Sequence, residues 1–355
     1  MQEFFVDMDE RGQRLDKYLR RRLPLAPSSF IYKMLRKKNI TLQGKKADGS
    51  EKVETGDRVV LFLSDETIVK FSSPDEHMDP KNREREKEAD TAYRRLTPML
   101  GPSPVLYEDE NILIVRKPKG ILSQKAAPSD LSMNEWLRGY LRQKGETGTF
   151  TPAVCNRLDR NTGGILLCAR SLQGSRDLSA LIRGRKIIKT YTMAVHGPIE
   201  KPGRIDAGLV KDRTRNQVRT ADGGGMRAVT VYRPIKTGRL ATLTEADLIT
   251  GRSHQLRVHM ASIGHPIVGD PRYGDPALDR RLLSRFSRQG HSTVPSSFRG
   301  GQLLWCTSVT FPGADDCVEM QGVLRPVAGR KFVSPAPEWW TDLCGDLCGY
   351  EAGGL

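Results

Sequence analysis

Cysteine is sparse in this chain, with six residues, at 155, 168, 306, 317, 344 and 348, among 355. None forms a C-x-x-C pair, so neither a zinc ribbon nor a thioredoxin-like redox site is indicated. Sparse thiols fit a reducing cytoplasm. Cys344 and Cys348 stand closest together, in a glycine-rich stretch. They read as incidental thiols of a tail, with a metal or redox role as the alternative. No apolar run approaches the roughly 18 residues of a membrane span, which excludes an integral membrane helix. Met1–Arg11 is acidic and lacks the apolar segment of a signal peptide.

Nucleotide and metal motifs are missing as well. There is no G-x-x-x-x-G-K-S/T, no G-x-G-x-x-G opening a helix, no H-E-x-x-H and no G-x-S-x-G. His254 and His259 are five residues apart, on different helix faces, so they do not read as a zinc pair. Gly223-Gly224-Gly225 reads as a hairpin turn rather than a phosphate cradle. No metal and no cofactor is expected.

What is present is positive charge. Lys and Arg number 57 against 42 Asp and Glu, a net +15, which favours a polyanionic partner: nucleic acid or an anionic membrane surface. The length suits two domains, or one large domain with an appendage. A hydrophobic fraction of 37% with 34 Gly and 21 Pro argues for a globular, loop-rich protein with strands.

The charge is concentrated. Arg14–Lys46 holds eleven basic residues and one acid, Asp16, a net +10. Leu15, Tyr18, Leu19 and Leu23 recur at helical spacing. Ser28 can cap a second helix with Ile31, Met34 and Leu35 on its inner face. Ile40–Leu42 and Val59–Leu63 read as short strands. Two basic helices followed by a small sheet favour RNA or DNA binding over a merely solvated face. Lys17, Arg20, Arg21, Lys33, Arg36, Lys37 and Lys38 are the candidate contacts. Aromatics are few there, so phosphate and shape recognition is expected rather than base stacking.

Residues 12–64 thus form a small basic domain. Residues 65–103 include a mixed-charge run, Asp75–Arg95, that reads as a linker or a solvated helix. Residues 104–333 carry a second domain, and residues 334–355 look like a C-terminal appendage. In the second domain, Ser132–Glu135 is a capping box followed by an amphipathic helix on Met133, Trp136, Leu137, Tyr140 and Leu141. Strands are expected at Ile112–Val115, Ile165–Ala169, Ile187–Val195, Ala228–Tyr232, Leu240–Ile249 and Leu303–Phe311, and helices at Leu172–Ile182 and His254–Ile263. They do not alternate regularly, so the class is α+β with a mixed, largely antiparallel sheet.

Two polar segments can carry chemistry. Asn156–Gly164 places Asp159 between Arg157 and Arg160 on a glycine-terminated loop. Composition alone leaves a functional carboxylate and a surface turn with charge pairs equally open. Gly251–His259 contains Arg252 and Arg257, with Ser253 as a candidate N-cap. Lys189-Thr190-Tyr191 lies in a strand and carries no weight alone.

Together these segments resemble the RluA-type pseudouridine synthase family, from about Val105 to about Arg330. The carrying motifs are N-R-L-D-R-N-T-G-G at 156–164, K-T-Y at 189–191, T-G-R-S-H-Q-L-R-V-H at 250–259 and G-H-P-I-V-G-D-P-R-Y-G at 264–274. Arg14–Leu63 looks like the RNA-binding domain named after the fourth protein of the small ribosomal subunit. The resemblance implies an isomerase that flips a uridine out of RNA and rebonds its base through carbon five, without a cofactor. It implies Asp159 as the catalytic carboxylate, Tyr191 as the residue against the base, and Arg257 as the partner of the carboxylate. Arg157 would fill the space left by the flipped base, with Arg160 and Arg252 as further RNA contacts. Large-subunit ribosomal RNA is the expected substrate, transfer RNA the runner-up, and a monomer the expected state. Asn156 and Gly163 depart from the family's usual His and Ser. They support the alternative of a non-catalytic RNA-binding or ribosome-assembly protein on the same fold. A DNA-binding regulator and a metal-dependent nuclease are more distant: no base-reading helix and no partnered carboxylates are visible. Asp279–Gly301, rich in arginine, reads either as a second RNA contact or as a solvated insertion.

Overall fold

The computed structural model describes residues 1–7, 10–72, 80–145, 150–212, 217–221, 224–280 and 301–349. The arginine-rich 279–301 segment therefore lies largely outside the described residues.

The basic N-terminal region contains β1 (Gln2–Phe5), α1 (Leu15–Arg22), α2 (Ser28–Arg36), β2 (Ile40–Leu42), β3 (Lys45–Lys46) and β4 (Arg58–Leu61). The four strands are ordered β1-β4-β2-β3. The apolar stripes read from the sequence face inward: Leu15, Tyr18, Leu19, Leu23, Ile31 and Leu35 are fully buried. The basic positions between them, Lys17, Arg20, Arg21, Lys33, Arg36, Lys37 and Lys38, are exposed. Ser28 does not cap α2. The N-cap is Pro27, and Ser28 is already helical; proline's fixed φ is pre-organised for a helix start.

Then come α3 (Asp65–Phe71) and α4 (Pro80–Leu100). From Pro80 on, the stretch expected as a linker or solvated helix is a helix with a buried face, while its residues 75–79 lie outside the described residues. Ala89, Ala92, Leu96 and Leu100 are buried. They are held against the following helix α5, where Trp136 Nε1 donates to Thr97 Oγ1 at 3.0 Å. Gly139 of α5 permits close approach, since a Cβ there would stand 2.3 Å from the Ala89 carbonyl oxygen.

The second domain runs β5 (Val105–Glu108), β6 (Ile112–Lys117), α5 (Met133–Gln143), β7 (Ala153–Val154), β8 (Gly163–Ala169), α6 (Leu172–Arg183) and β9 (Ile188–His196). It continues with β10 (Gly203–Asp212), β11 (Gln217–Ala221), β12 (Met226–Thr237), β13 (Ala241–Leu248), α7 (Gln255–Ser262), β14 (Leu304–Thr310), β15 (Lys331–Val333) and α8 (Glu338–Gly349). Its strands form one sheet ordered β11-β10-β12-β13-β9-β14-β8-β6-β5, with β15 on β14 and β7 on β8. Pairing is antiparallel except between β14 and β8. The fold is α+β with a largely antiparallel sheet. Ser132 is the N-cap of α5, its Oγ accepting the Asn134 N–H at 3.2 Å; it donates to Glu135 at 2.5 Å, so the two residues of the expected capping box bond each other.

The glycine run at 223–225, expected as a hairpin turn, lies partly outside the described residues. Two local expectations differ. Ser253 does not cap α7; the N-cap is His254 in the left-handed region (φ 56°). Gln255 reaches back instead, its Oε1 accepting Arg252 N–H at 3.1 Å and Thr250 Oγ1–H at 2.7 Å. Finally, residues 338–349 are not a loose appendage. Trp340, Leu343, Cys344, Leu347 and Cys348 are buried in one cluster with Trp305, Ala194 and Ala241 of the sheet. Burial pushes the Cys344 thiol well above its ordinary pKa, so it packs as a small apolar side chain.

Candidate active site

The short parallel contact between β14 and β8 lies at the middle of the sheet, and the loop carrying Asp159 enters β8 there. That loop is clamped from both ends. Buried Asn156 donates its side-chain N–H to the Ile165 carbonyl at 3.3 Å and accepts the Leu167 N–H at 2.7 Å. Ser123 Oγ accepts Leu158 N–H and donates to Leu158 O. Lys117, fully buried, donates from Nζ to the carbonyls of Pro118, Ile121 and Arg160 at 3.0, 2.8 and 3.1 Å. Burial pushes the Lys117 ammonium down to about 7, against the pull of Asp159.

The two family departures acquire physical causes here. Asn156 fills two backbone vacancies that an amide matches with one donor and one acceptor. At Gly163 a Cβ would stand 2.0 Å from the Trp305 ring, and at Gly164 one would meet the Cys306 carbonyl at 2.3 Å. Glycine at 163 therefore goes with tryptophan at 305.

Arg257, in the first turn of α7, donates from Nη1 to Asp159 Oδ2 at 2.8 Å. Its Nε and Nη2 form a bidentate pair with Asp270, both at 2.7 Å. Asp270 Oδ1 also accepts the N–H groups of Arg272 and Tyr273. Burial opposes the charge on both partners. The ion pair more than offsets it, holding Asp270 below and Arg257 above their ordinary pKa values. The other Asp159 oxygen, Oδ1, faces His254 Nε2 at 3.9 Å. Asp159 is half-buried, so this carboxylate is fixed yet open to a ligand.

Tyr191, on β9, is buried. Burial, with the Cys306 thiol beside its hydroxyl and Asp159 within electrostatic reach, pushes it well above its ordinary pKa. It is a neutral phenol near pH 7. Arg157 is exposed on the Asp159 loop. Arg160, also exposed, lies 3.6 Å from Asp130. Arg252 is half-buried and donates to the Arg227 carbonyl at 3.4 Å. The structure thus gathers Asp159, Arg257 and Tyr191, leaves Arg157 and Arg160 at the rim, and separates the basic helices into their own unit. Among the described residues no three His, Cys, Asp or Glu side chains converge as a metal site.

Sequence reasoning missed Asp270 as the second partner of Arg257, and it missed Tyr273 and His254 beside them. The need for a second acceptor was available, though not its position. A buried guanidinium has five donors and one carboxylate cannot satisfy them; Asp270 stands in the G-H-P-I-V-G-D-P-R-Y-G stretch.

An antiparallel-rich sheet with a carboxylate held by a buried arginine is thus joined in one chain to a basic two-helix domain. The family model for RNA pseudouridylate synthase matches residues 111–262, and that for the S4 domain matches residues 13–59. Ribosomal large subunit pseudouridine synthase C of Rickettsia felis is 33% identical over 263 residues, 73% of this chain and 81% of that protein. The Escherichia coli protein of the same name is 32% identical over 280 residues, 78% of this chain and 81% of that protein. The structure of human RNA pseudouridylate synthase domain containing 4 shares the fold, with TM-score 0.55 and 20% identity over 76% of this chain and 99% of that one. The chain belongs to the RNA pseudouridylate synthase family and carries an S4 domain before its catalytic domain.

Proposed function

We propose that this protein isomerises uridine to pseudouridine in large-subunit ribosomal RNA, with Asp159 as the catalytic carboxylate. The observation that carries the reading is the Asp159–Arg257 pair: in a half-buried carboxylate, one oxygen is held by a buried guanidinium and the other faces His254 Nε2 beyond hydrogen-bond distance. The substrate class rests on the names of relatives that share most of this chain.

The chemistry suits these groups. The N1–C1′ bond of uridine breaks, the uracil turns, and C5 bonds to C1′. The C5 hydrogen is lost as a proton, and N1 gains one. Nothing is oxidised and no group is imported. The uridine must first leave its stack, at a cost of about a few kcal/mol; Arg157, exposed at the rim, takes the vacated space. Asp159 then acts through Oδ1, by attack at C1′ or by proton removal from the neighbouring ribose carbon; both routes need an ionised carboxylate. Arg257 keeps it so. Tyr191 supplies a flat wall for the detached uracil. Its raised pKa makes the hydroxyl a donor rather than a free phenolate base. Leu158 and Leu256, both buried, keep the pocket apolar.

The non-catalytic alternative rested on Asn156 and Gly163, and each is accounted for by local packing without touching Asp159, Tyr191 or Arg257. Pseudouridine mapping of large-subunit and transfer RNA, with the gene present and deleted, tests the reading. It is expected to lose one or a few sites in large-subunit RNA. Loss only in transfer RNA moves the substrate, and an unchanged map overturns the enzymatic reading.

A further inference from the structure

We infer that Tyr273 fixes His254 as the neutral imidazole carrying its proton on Nε2, and that this N–H steadies the free oxygen of Asp159. His254 is then a positioning residue for the carboxylate, and Tyr273 is its anchor. The inference rests on Asp159 being the catalytic carboxylate.

The hydrogen-bond arithmetic leads there. The Tyr273 hydroxyl accepts the backbone N–H of Val218 at 2.9 Å. It also meets His254 Nδ1 at 2.8 Å. A phenol has one proton to donate, and of its described partners only His254 Nδ1 can accept it, since the Val218 N–H is itself a donor; that proton goes to Nδ1. An Nδ1 that accepts leaves the imidazole proton on Nε2. Nε2 is the nitrogen facing Asp159 Oδ1, at 3.9 Å. That distance is too long for a hydrogen bond in the unliganded site, and such contacts tighten when substrate closes the geometry.

The charges around the ring agree. Burial lowers the His254 pKa first. Asp159 and Asp270 oppose this, while Arg257 and Arg272 reinforce it, and the net shift is downward. The imidazole is therefore neutral near pH 7. Its tautomer, not its charge, is what the site selects. Tyr273 also lies under Arg257, with the guanidinium 5.0 Å from the ring centroid. One tyrosine thus contacts both groups that face Asp159. His254 itself holds a left-handed backbone conformation at the start of α7, φ 56° and ψ 16°, uncommon for a side-chain-bearing residue. Strain of that kind persists where its surroundings over-determine it. Here Tyr273 on the ring and the Gln255 hydrogen bonds beside it do so.

The test joins spectroscopy to kinetics on the full chain. Long-range ¹H–¹⁵N spectra of protein labelled with ¹⁵N-histidine are expected to show His254 as a single Nε2–H tautomer near pH 7. His254→Gln assigns the resonance by removing it. Tyr273→Phe keeps the ring under Arg257 and is expected to lose the single tautomer. Turnover is read as C5-tritium release from a large-subunit ribosomal RNA transcript made with [5-³H]uridine. His254→Leu and Tyr273→Phe are expected to lower kcat about tenfold to a hundredfold with KM held. His254→Gln, whose amide N–H falls where Nε2–H was, is expected to recover part of the loss. A wild-type Nδ1–H tautomer, or His254→Leu turning over like wild type, overturns the inference. The tautomer is read without turnover, so failure of the Asp159 assignment, seen as an active Asp159→Asn, is distinguished from failure here.

Discussion

At residue scale the site turns on how a buried guanidinium is satisfied. Arg257 gives one donor to Asp159 and two to Asp270, and Asp270 takes two further backbone N–H groups. Asp270 is thus the counter-ion that leaves Arg257 free to orient Asp159. Its pKa is pushed up by burial but held below the ordinary value of 3.8 by Arg257 and those N–H groups. A carboxylate with a depressed folded pKa stabilises the fold above its unfolded pKa, and the contribution is lost as pH falls through the folded value. Asp270→Asn is therefore expected to cost about 3–5 kcal/mol near pH 7, because it strands a buried charge. The difference from wild type should narrow as the medium is acidified below about 4. Urea unfolding at both pH values reads it; a pH-independent difference would contradict the ionic account. The pairing of Asp159 with Arg257 was legible through the family resemblance that the motifs carry, not from composition or spacing. Asp270 was not, since the loop that brings 270 back to 257 is a tertiary event that spacing does not reveal.

At the scale of elements, legibility followed local pattern. The α5 capping box and its apolar stripe lie within a few consecutive residues, and the helix formed where expected. β10 and β11 went unread because Gly, Arg, Asp and Lys interrupt their alternation and their burial comes from neighbours. α8 was taken for a tail because Gly345 and Gly349 weaken its helix propensity. Its signal was Trp340, Leu343, Cys344, Leu347 and Cys348, a stripe at helical spacing. That helix covers Trp305, whose Nε1 donates to the Ser334 carbonyl at 2.9 Å and whose ring lies against Gly163 at the entry to β8. The C-terminal helix therefore buttresses the strand that follows the Asp159 loop. Trp340→Ala is expected to destabilise the protein by about 3–5 kcal/mol. Chemical unfolding checks this, and a cost below about 1 kcal/mol would mean that the helix packs only loosely.

Across the whole molecule, about two-thirds of the net +15 falls in Arg14–Lys46. The fold carries the exposed basic positions there on two short helices, the turn after the second and β3, outside the catalytic sheet. On the proposed reading, RNA grip and base chemistry are divided between these two units. Deleting residues 1–64 is expected to weaken RNA binding and flatten its dependence on salt, by about 0.7 in log–log slope for each phosphate contact removed. An unchanged slope would place the RNA grip elsewhere. The central claim is that Asp159 breaks and remakes the bond between base and ribose, and C5-tritium release from a [5-³H]uridine-labelled large-subunit ribosomal RNA transcript tests it most directly. Wild-type protein is predicted to release tritium. Asp159→Asn is predicted to release none above background while binding RNA and unfolding at the wild-type midpoint. Tritium release by Asp159→Asn at a rate near wild type would contradict the account.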